Sequence, residues 1–224
     1  MKPTCAVATA LLCLLLACAD ALASGPPKGL REVSVTVGIG KDDWGSGTLL
    51  VDKQGVAWVL TCDHVFNPDT KAVRLSQHTP SFDGKTKILE VYGEVVKRSK
   101  QLDLALVRLG KGVFAKGATL RPGADLDLDA KVFHCGSYHT WLHHSVAGGR
   151  VQSIGDTQAA AGQLLDRADI TATPGSSGGG MFDRDGRLCG VLVRGMGQRL
   201  IWYVPLRVVR EWAMREKIMV LLER

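Results

Sequence analysis

Short alternating apolar segments separated by turn residues constrain the fold of this 224-residue chain more than any other feature. Valines alternate with other residues over 33–39, which is the period of a strand with one buried face. The segment Asp-Lys-Gln-Gly at 52–55 then separates two apolar runs, as a hairpin turn does. Further strands are predicted over 48–51, 56–60, 73–75, 87–96, 104–109, 131–134, 149–154, 188–193 and 200–204. Turn signals at intervals of about 8–12 residues are typical of an all-β sandwich or barrel.

The C-terminal part of the chain has a different periodicity. After Pro205, apolar residues recur at roughly helical spacing with charged residues between them, which predicts an amphipathic helix over about 205–222. Lysines and glycines between 111 and 117 predict a joint between two halves. We therefore expect a first half over about 33–112 and a second over about 118–204. A short linker is expected over 24–32, which contains Gly-Pro-Pro.

The first 23 residues are predicted to be a signal peptide. An apolar run over 6–18 follows the single early charge of Lys2, and Ala-Leu-Ala at 21–23 has the form of a cleavage site. The run is too short for a transmembrane helix. A second interpretation stays open, because Leu-Leu-Ala-Cys ending at Cys18 resembles a bacterial lipobox, in which Cys18 would carry a lipid anchor. Both interpretations place the mature chain in the periplasm or outside the cell.

Charge and cysteine content exclude two classes of protein. The formal net charge of +6 is a mild basic excess without dense Lys/Arg runs, which argues against binding to nucleic acid. Three cysteines, Cys62, Cys135 and Cys189, remain after the predicted cleavage. Because an odd number leaves at least one thiol free, no disulfide framework is implied. The hydrophobic core is therefore expected to carry most of the stability.

A serine lies among glycines in Thr-Pro-Gly-Ser-Ser-Gly-Gly at 173–179, where Ser177 is the candidate nucleophile. Such a stretch by itself is more often a turn. His64, however, follows one apolar run and Asp103 opens another. Histidine, aspartate and serine thus occur in one of the known chain orders of the serine-protease triad. Their joint occurrence, rather than any one residue, predicts a catalytic site.

The chemistry of this site assigns a role to each residue. A serine hydroxyl needs a neighbouring base, and His64 would accept the proton of Ser177 while Asp103 holds the imidazole tautomer. The oxyanion that forms on attack needs backbone N–H donors. Gly175 and Ser177 are separated by one residue, so a tight turn can direct both amides at one point.

The motifs resemble those of the chymotrypsin-like serine peptidases, and among these the bacterial high-temperature-requirement (HtrA, Deg) type. The family's Thr-Ala-Ala-His motif resembles Thr-Cys-Asp-His at 61–64, and its Asp-Leu-Ala motif is matched at 103–105. Its Asn-Pro-Gly-Asn-Ser-Gly-Gly motif resembles residues 173–179, and its substrate-edge strand resembles 190–195. The likeness extends from about residue 33 to the C-terminus. The chain ends soon after its predicted helix, so no PDZ domain is expected.

The resemblance implies two packed six-stranded antiparallel β-barrels with a C-terminal α-helix, forming one protease domain over 33–224. It implies an active site between the barrels and an oxyanion hole from the amides of Gly175 and Ser177. It also implies that an extended peptide adds to the strand at Val193, Arg194 and Gly195. Thr171, six residues before the nucleophile, would lie near the base of the specificity pocket.

These observations predict an exported serine endopeptidase that acts on protein or peptide substrates through an acyl-enzyme. We expect no cofactor and no metal, because the His and Cys residues between 134 and 144 match no recognised zinc spacing. Thr171 is short and uncharged, which favours small or medium apolar side chains at the cleavage position. Two alternatives remain: a catalytically idle peptide-binding (lipo)protein of the same fold, and an esterase or narrow processing peptidase.

Overall fold

The computed structural model describes residues 25–38, 44–80, 86–123, 126–138, 142–156, 163–196 and 199–218. The predicted signal peptide, with Cys18, lies outside the described residues, as does the end of the predicted helix at 219–222.

The first half of the chain forms a closed antiparallel barrel with the strand order β1-β2-β3-β6-β5-β4. Its strands are β1 (Ser34–Gly38), β2 (Trp44–Val51), β3 (Val56–Thr61), β4 (Ala72–Pro80), β5 (Thr86–Ser99) and β6 (Leu104–Lys111). A 3-10 helix, Leu30–Val33, precedes β1, and Leu30 is buried within the segment predicted to be a linker.

The second half forms another closed antiparallel barrel, with the order β10-β11-β12-β9-β8-β7. Its strands are β7 (Lys131–Tyr138), β8 (Leu142–Asp156), β9 (Leu165–Ala168), β10 (Gly180–Phe182), β11 (Leu188–Met196) and β12 (Leu200–Pro205). The helix α1 (Leu206–Arg215) follows directly. The prediction of an all-β fold with two packed six-stranded barrels and a C-terminal helix is confirmed.

The strand predictions differ from the structure at particular elements. The short strands β9 and β10 were not predicted, because four and three residues are too few to show a period of two. Strand β2 begins at Trp44, so Gly-Ser-Gly at 45–47, which the sequence placed before a strand, lies inside one. The connection between the barrels runs from 112 to 130, beyond the joint expected at 111–117.

Each barrel has its own apolar interior, and a third cluster joins them. Fully buried side chains such as Val59 fill the first barrel, and others such as Met181 fill the second. The third cluster combines Leu60 of the first barrel, Val191 of the second and Trp212 of α1. Burial of each large apolar side chain contributes about 1.5–3 kcal/mol, so the barrels and the helix stabilise one another.

The helix α1 packs its apolar face on the barrels and presents charges to solvent. Leu206, Val209 and Trp212 are buried, and Arg207 pairs with Asp166 at 2.6 Å. Lys97 of β5 pairs with Glu216, immediately after the helix, at 2.9 Å. In the described ranges, no helix combines the length and the apolarity that crossing a membrane requires.

The three cysteines of the described chain are all unpaired thiols in buried positions, Cys62, Cys135 and Cys189. Burial raises the pKa of Cys135 to about 11 and also raises the pKa of Cys189. Protonated, buried thiols behave as small apolar side chains, so these residues contribute to packing.

Candidate active site

His64 and Asp103 are brought together by the pairing of two strands. His64 follows β3 and Asp103 precedes β6, and Thr61 of β3 lies opposite Ala105 of β6. The Nδ1 atom of His64 lies 2.7 Å from Oδ2 of Asp103, and the backbone amide of His64 donates to Oδ1 at 2.9 Å. A carboxylate at Nδ1 favours the tautomer with the proton on that nitrogen. The Nε2 atom is then left as a base.

Asp103 adopts a left-handed backbone conformation, with φ of 54°. Aspartate tolerates this conformation better than most residues, because its short polar side chain can form local hydrogen bonds. In this conformation both carboxylate oxygens of Asp103 reach His64. The strained position therefore serves the orientation of the imidazole.

Arg98 of β5 holds the loop that carries His64. Its Nε donates to Oδ1 of the buried Asp63 at 2.5 Å, so the charge next to His64 is paired. Its two terminal nitrogens donate to the carbonyl oxygens of Phe66 at 3.2 Å and Asn67 at 2.8 Å. The guanidinium also lies 5.5 Å from the centroid of the Phe66 ring, in a cation–π contact. No sequence motif pointed to Arg98, since its partners are backbone carbonyls 31 and 32 residues away.

Residues 173–179, hereafter the glycine-rich turn, form the second half of the site between β9 and β10. Ser176 N donates to Thr173 O at 3.0 Å, and Gly179 N donates to Ser176 O at 3.0 Å. Gly178 N donates to Leu192 O in β11 at 2.7 Å, which attaches the turn to the second barrel. Backbone hydrogen bonds within the turn and to β11 therefore contribute to its conformation.

Glycine is required in this turn by close contacts as well as by backbone angles. Gly175 and Gly178 have φ of +96° and +85°, which L side chains rarely adopt. A Cβ on Gly178 would overlap Thr61 Oγ1 and the Ser46 carbonyl oxygen. The glycines thus allow the second barrel to approach the first at this point.

Two amides of the turn, those of Gly175 and Ser177, donate to no acceptor among the described residues. The neighbouring amides of Ser176, Gly178 and Gly179 are all hydrogen-bonded. The free pair lies beside a cleft of about 390 Å³ that is lined by Trp44, His64, Val65, Asn67, Pro174, Gly175 and Ser177. Two free N–H groups beside a serine can stabilise an oxyanion.

His64 and Ser177 line the same cleft from opposite barrels. Within the described part of the chain, no hydrogen bond joins the Ser177 hydroxyl to the imidazole, and Nε2 of His64 instead lies 3.8 Å from Sγ of Cys62. Catalytic hydrogen bonds are often long without substrate and tighten in the complex. Burial, followed by the charge of Asp103, raises the pKa of Cys62 well above 9.0, so its thiol stays protonated. Cys62 therefore packs beside the base and lacks the thiolate of a nucleophile.

The predicted substrate-binding residues lie next to the turn. Leu192 N donates to Gly179 O at 2.9 Å, which places the following residues of β11 beside the turn. Val193 is buried, whereas Arg194 and Gly195 are exposed. Thr171 is exposed in the segment between β9 and the turn. Of these four described residues, none lines the cleft that contains His64 and Ser177.

One group of potential metal ligands occurs among the described residues, formed by Cys62, His64 and Asp103 within 4.8 Å of one another. Its donors are already engaged, since Asp103 binds His64 and the Cys62 thiol is protonated. The histidines noted between 134 and 144 do not form such a group in the described part of the chain. His134 is fully buried with Nδ1 3.2 Å from Gly180 O, and the side chains of His139 and His143 lie outside the described residues.

Comparison with known proteins gives the same architecture. The model of the trypsin-like peptidase domain matches residues 45–191. A search of curated protein sequences returned no match. The solved serine endoprotease from Yersinia pestis is 19% identical with a TM-score of 0.65, and the alignment covers 84% of this chain and 63% of that one. This chain therefore spans less than two thirds of that endoprotease.

Two further solved structures align over most of their own length. The MamO protease domain from Magnetospirillum magneticum is 21% identical with a TM-score of 0.66, covering 83% of this chain and 97% of that one. Deg5 is 19% identical with a TM-score of 0.63, covering 82% of this chain and 90% of that one. At these identities the likeness is evidence for the fold.

Proposed function

Because this chain belongs to the trypsin-like peptidase family, we propose that it is an exported serine endopeptidase in which Ser177, His64 and Asp103 form the catalytic triad. The family membership confirms the resemblance found in the sequence motifs. The main support for the proposal is the set of chemical groups that meet at one cleft. It combines a serine, two free turn amides and a histidine whose other nitrogen faces a carboxylate.

The first step is nucleophilic attack. Asp103 keeps the proton of the imidazole on Nδ1, so Nε2 of His64 accepts the proton of the Ser177 hydroxyl as Oγ bonds to the peptide carbonyl carbon. The carbonyl π electrons move to its oxygen, and the imidazolium that forms is stabilised by Asp103. Ser177 and His64 approach from different barrels, so the distance between them depends on barrel packing.

The second requirement is stabilisation of the oxyanion. The free amides of Gly175 and Ser177 supply two preorganised N–H donors, each worth about 3 kcal/mol of barrier in comparable sites. His64 then returns its proton to the amine of the leaving peptide, and the C–N bond breaks. A water molecule, deprotonated by the same imidazole, hydrolyses the acyl-enzyme and regenerates Ser177.

The substrate is proposed to be an extended segment of a protein or peptide that pairs with Val193, Arg194 and Gly195. The exposed end of β11 supports this binding mode, because main-chain groups beside the turn can pair with a peptide strand. Thr171 is proposed to lie near the base of the specificity pocket and to favour small or medium apolar side chains at the cleavage position. A peptide-library digest tests this preference, and cleavage confined to Lys and Arg sites would contradict it.

Export is proposed from the sequence of the first 23 residues. Cleavage after Ala23 would give a mature chain beginning at Ser24, whereas lipidation would begin it at Cys18. Mass spectrometry of the mature N-terminus, combined with cell fractionation, separates these two products. Retention of Met1 in the cytoplasmic fraction alone would reject export.

The decisive experiment is intact-mass analysis of the mature chain after reaction with a fluorophosphonate probe. We expect one adduct on the wild type and none on Ser177→Ala or His64→Ala. Ser153→Ala, which changes a half-buried serine in β8, is the matched control and should label like the wild type. A wild-type chain that stays unlabelled would contradict the proposal and favour an idle peptide-binding protein. If the wild type is labelled, short ester substrates compared with protein substrates distinguish an esterase from a peptidase.

A further inference from the structure

Ser46, in β2 of the first barrel, contacts the glycine-rich turn of the second barrel through both its backbone and its side chain. Its N–H donates to Ser177 O at 2.7 Å, and its hydroxyl donates to Gly175 O at 2.6 Å. The same hydroxyl oxygen accepts the N–H of Ser137 at 2.7 Å, and its carbonyl accepts the Thr61 hydroxyl at 2.6 Å. Ser46 has no exposed surface. All of its polar atoms are therefore bonded, and two of those bonds reach the turn.

The contact with the Gly175 carbonyl fixes one particular peptide group. In the peptide group between Gly175 and Ser176, the carbonyl oxygen accepts a hydrogen bond from the Ser46 hydroxyl. The N–H of the same peptide group, which belongs to Ser176, donates to Thr173 O at 3.0 Å. Because both ends are bonded, this peptide cannot rotate without losing two hydrogen bonds. In this orientation the Gly175 carbonyl oxygen is bonded to the first barrel. The amides on either side, those of Gly175 and Ser177, are the two of the turn that find no acceptor in the described part of the chain.

We propose that Ser46 is a positioning residue for the oxyanion hole, and the inference rests on the proposed function of Ser177. The Ser46 hydroxyl holds the Gly175 carbonyl away from the cleft, so that the amides of Gly175 and Ser177 can both face the oxyanion. A hydroxyl suits the position because it donates one hydrogen bond and accepts another at the same atom. Without it, the Gly175 carbonyl and the Ser137 amide would lose partners in a buried region.

Ser46→Ala tests the proposal, with Thr36→Val as the matched control. The hydroxyl of Thr36 also crosses from the first barrel to the second, where it lies 2.6 Å from Oγ of Ser137. Thr36→Val therefore removes a buried hydrogen bond between the barrels that does not involve the turn. Both variants are expected to lower the melting temperature by a similar amount. Ser46→Ala alone should affect the chemical step.

We expect Ser46→Ala to lower kcat on a peptide substrate and the rate of fluorophosphonate labelling by about tenfold or more, since loss of one oxyanion donor lowers kcat by about 100- to 1000-fold. KM should stay within about twofold, because the peptide-binding strand is unchanged. The kinetic pKa of the pH–rate profile should also stay unchanged, since His64 and Asp103 keep their contact. Thr36→Val should keep kcat within about twofold of the wild type.

Equal kcat and labelling rates in Ser46→Ala and Thr36→Val would overturn the positioning role. A shifted kinetic pKa would also overturn it, because the substitution would then act on the base. If Ser46→Ala does not fold, Ser46→Cys preserves the side-chain volume with a weaker donor, and its labelling rate decides in the same way. If the wild type reacts with the probe and Ser46→Ala reacts at the same rate, only this inference is rejected. A wild type that never reacts rejects the proposed function, and the positioning role with it.

Discussion

The two halves of the site are held by different kinds of interaction. In the first barrel, charged side chains orient the base: Asp103 binds His64, and Arg98 binds Asp63. The His64 side chain remains 48% exposed. In the second barrel, the glycine-rich turn is held by backbone hydrogen bonds and by the uncharged hydroxyl of Ser46, and Ser176 within it is 1% exposed.

This difference determines which substitutions damage each half of the site. A side chain that is oriented by a charge is disturbed when the charge is changed, while the backbone around it is preserved. A turn that is built from close backbone contacts is disturbed when atoms are added to it. Removing the charge that faces the His64 imidazole should therefore lower activity with little loss of stability, whereas adding atoms to the turn should lower both together.

The largest effect is expected from Asp103→Asn. The amide removes the negative charge that faces Nδ1 of His64 and favours the wrong imidazole tautomer, which lowers kcat by about 10⁴-fold in comparable triads. Steady-state kinetics measures this loss, and circular dichroism should show an unchanged fold. Asp69→Asn, an exposed change on the loop that carries His64, is the control and should retain full activity. A loss below about tenfold in Asp103→Asn would show that the charge does not orient the base.

Gly178→Ala tests the second half. The added methyl group would overlap Thr61 and Ser46 at a φ of +85°, so neither barrel can relax without separating from the other. Gly112→Ala provides the control, because it has a similar φ of +74° and nothing within 4 Å. We expect about 1–2 kcal/mol of destabilisation for Gly112→Ala from the backbone conformation alone. Gly178→Ala should be destabilised by at least about 2 kcal/mol more, from the overlap.

Urea unfolding of both glycine variants measures the difference, and peptidase assays on the folded fraction complete the comparison. Activity should fall in Gly178→Ala and persist in Gly112→Ala. Equal destabilisation of the two variants would mean that the barrels can separate at the turn without penalty, which would remove the distinction between the two halves.

Low pH should lower the stability of the second half of the site through His134, a buried histidine. Burial lowers the pKa of His134 from 6.5 to about 4, and its Nδ1 lies against the carbonyl of Gly180. The unfolded chain therefore binds a proton between pH 6.5 and 4 that the folded chain does not. The contribution of neutral His134 to stability is complete above pH 6.5 and falls by about 3 kcal/mol as the pH drops to 4.

His134→Asn isolates this effect, because the amide can still donate to Gly180 O but does not titrate. Unfolding free energies measured between pH 7 and pH 4 should fall more steeply in the wild type than in His134→Asn. Parallel curves for the two proteins would show that folding does not lower the pKa of His134, and the prediction would be wrong.

The smallest effect is expected from Arg98→Lys. Lysine keeps the charge beside Asp63 but loses the fork that reaches the carbonyls of Phe66 and Asn67. We expect a loss of about 1–2 kcal/mol in the free energy of unfolding, with a small decrease in kcat as the His64 loop loosens. Arg184→Lys, at an exposed turn of the second barrel, should change neither quantity. Unchanged stability in Arg98→Lys would mean that the ion pair with Asp63 alone holds the loop.

The sequence predicted those parts of the structure that depend on local patterns. Strand rhythm predicted nine segments that lie within strands of the two barrels and a tenth, 33–39, that overlaps β1. The motifs also named His64 and Ser177, which line one cleft, and Asp103, which binds His64. Pro205 correctly marked the start of the helix, which ends at Arg215 where the pattern had extended it to 222. The strands and the helix are visible in the sequence because neighbouring residues determine them.

The remaining features depend on contacts between distant segments. Strand β9 contains Asp166, which is 1% exposed because Arg207 of α1, 41 residues away, pairs with it. A charged residue in a four-residue segment gives no strand signal by itself. The contact between Ser46 and Gly175 spans 129 residues and joins a hydroxyl to a backbone carbonyl. Gly-Ser-Gly at 45–47 is too common a pattern to indicate such a contact.

The position of Ser46 also has a consequence for the order in which the parts of the protein fold. The glycine-rich turn belongs to the second barrel, but its contacts with Ser46 come from the first, which leaves the ribosome earlier. A chain with only one folded barrel would have either His64 and Asp103 without Ser177 or Ser177 on an unsupported turn. In the proposed peptidase, activity would therefore arise as a late step of folding, when the two barrels dock.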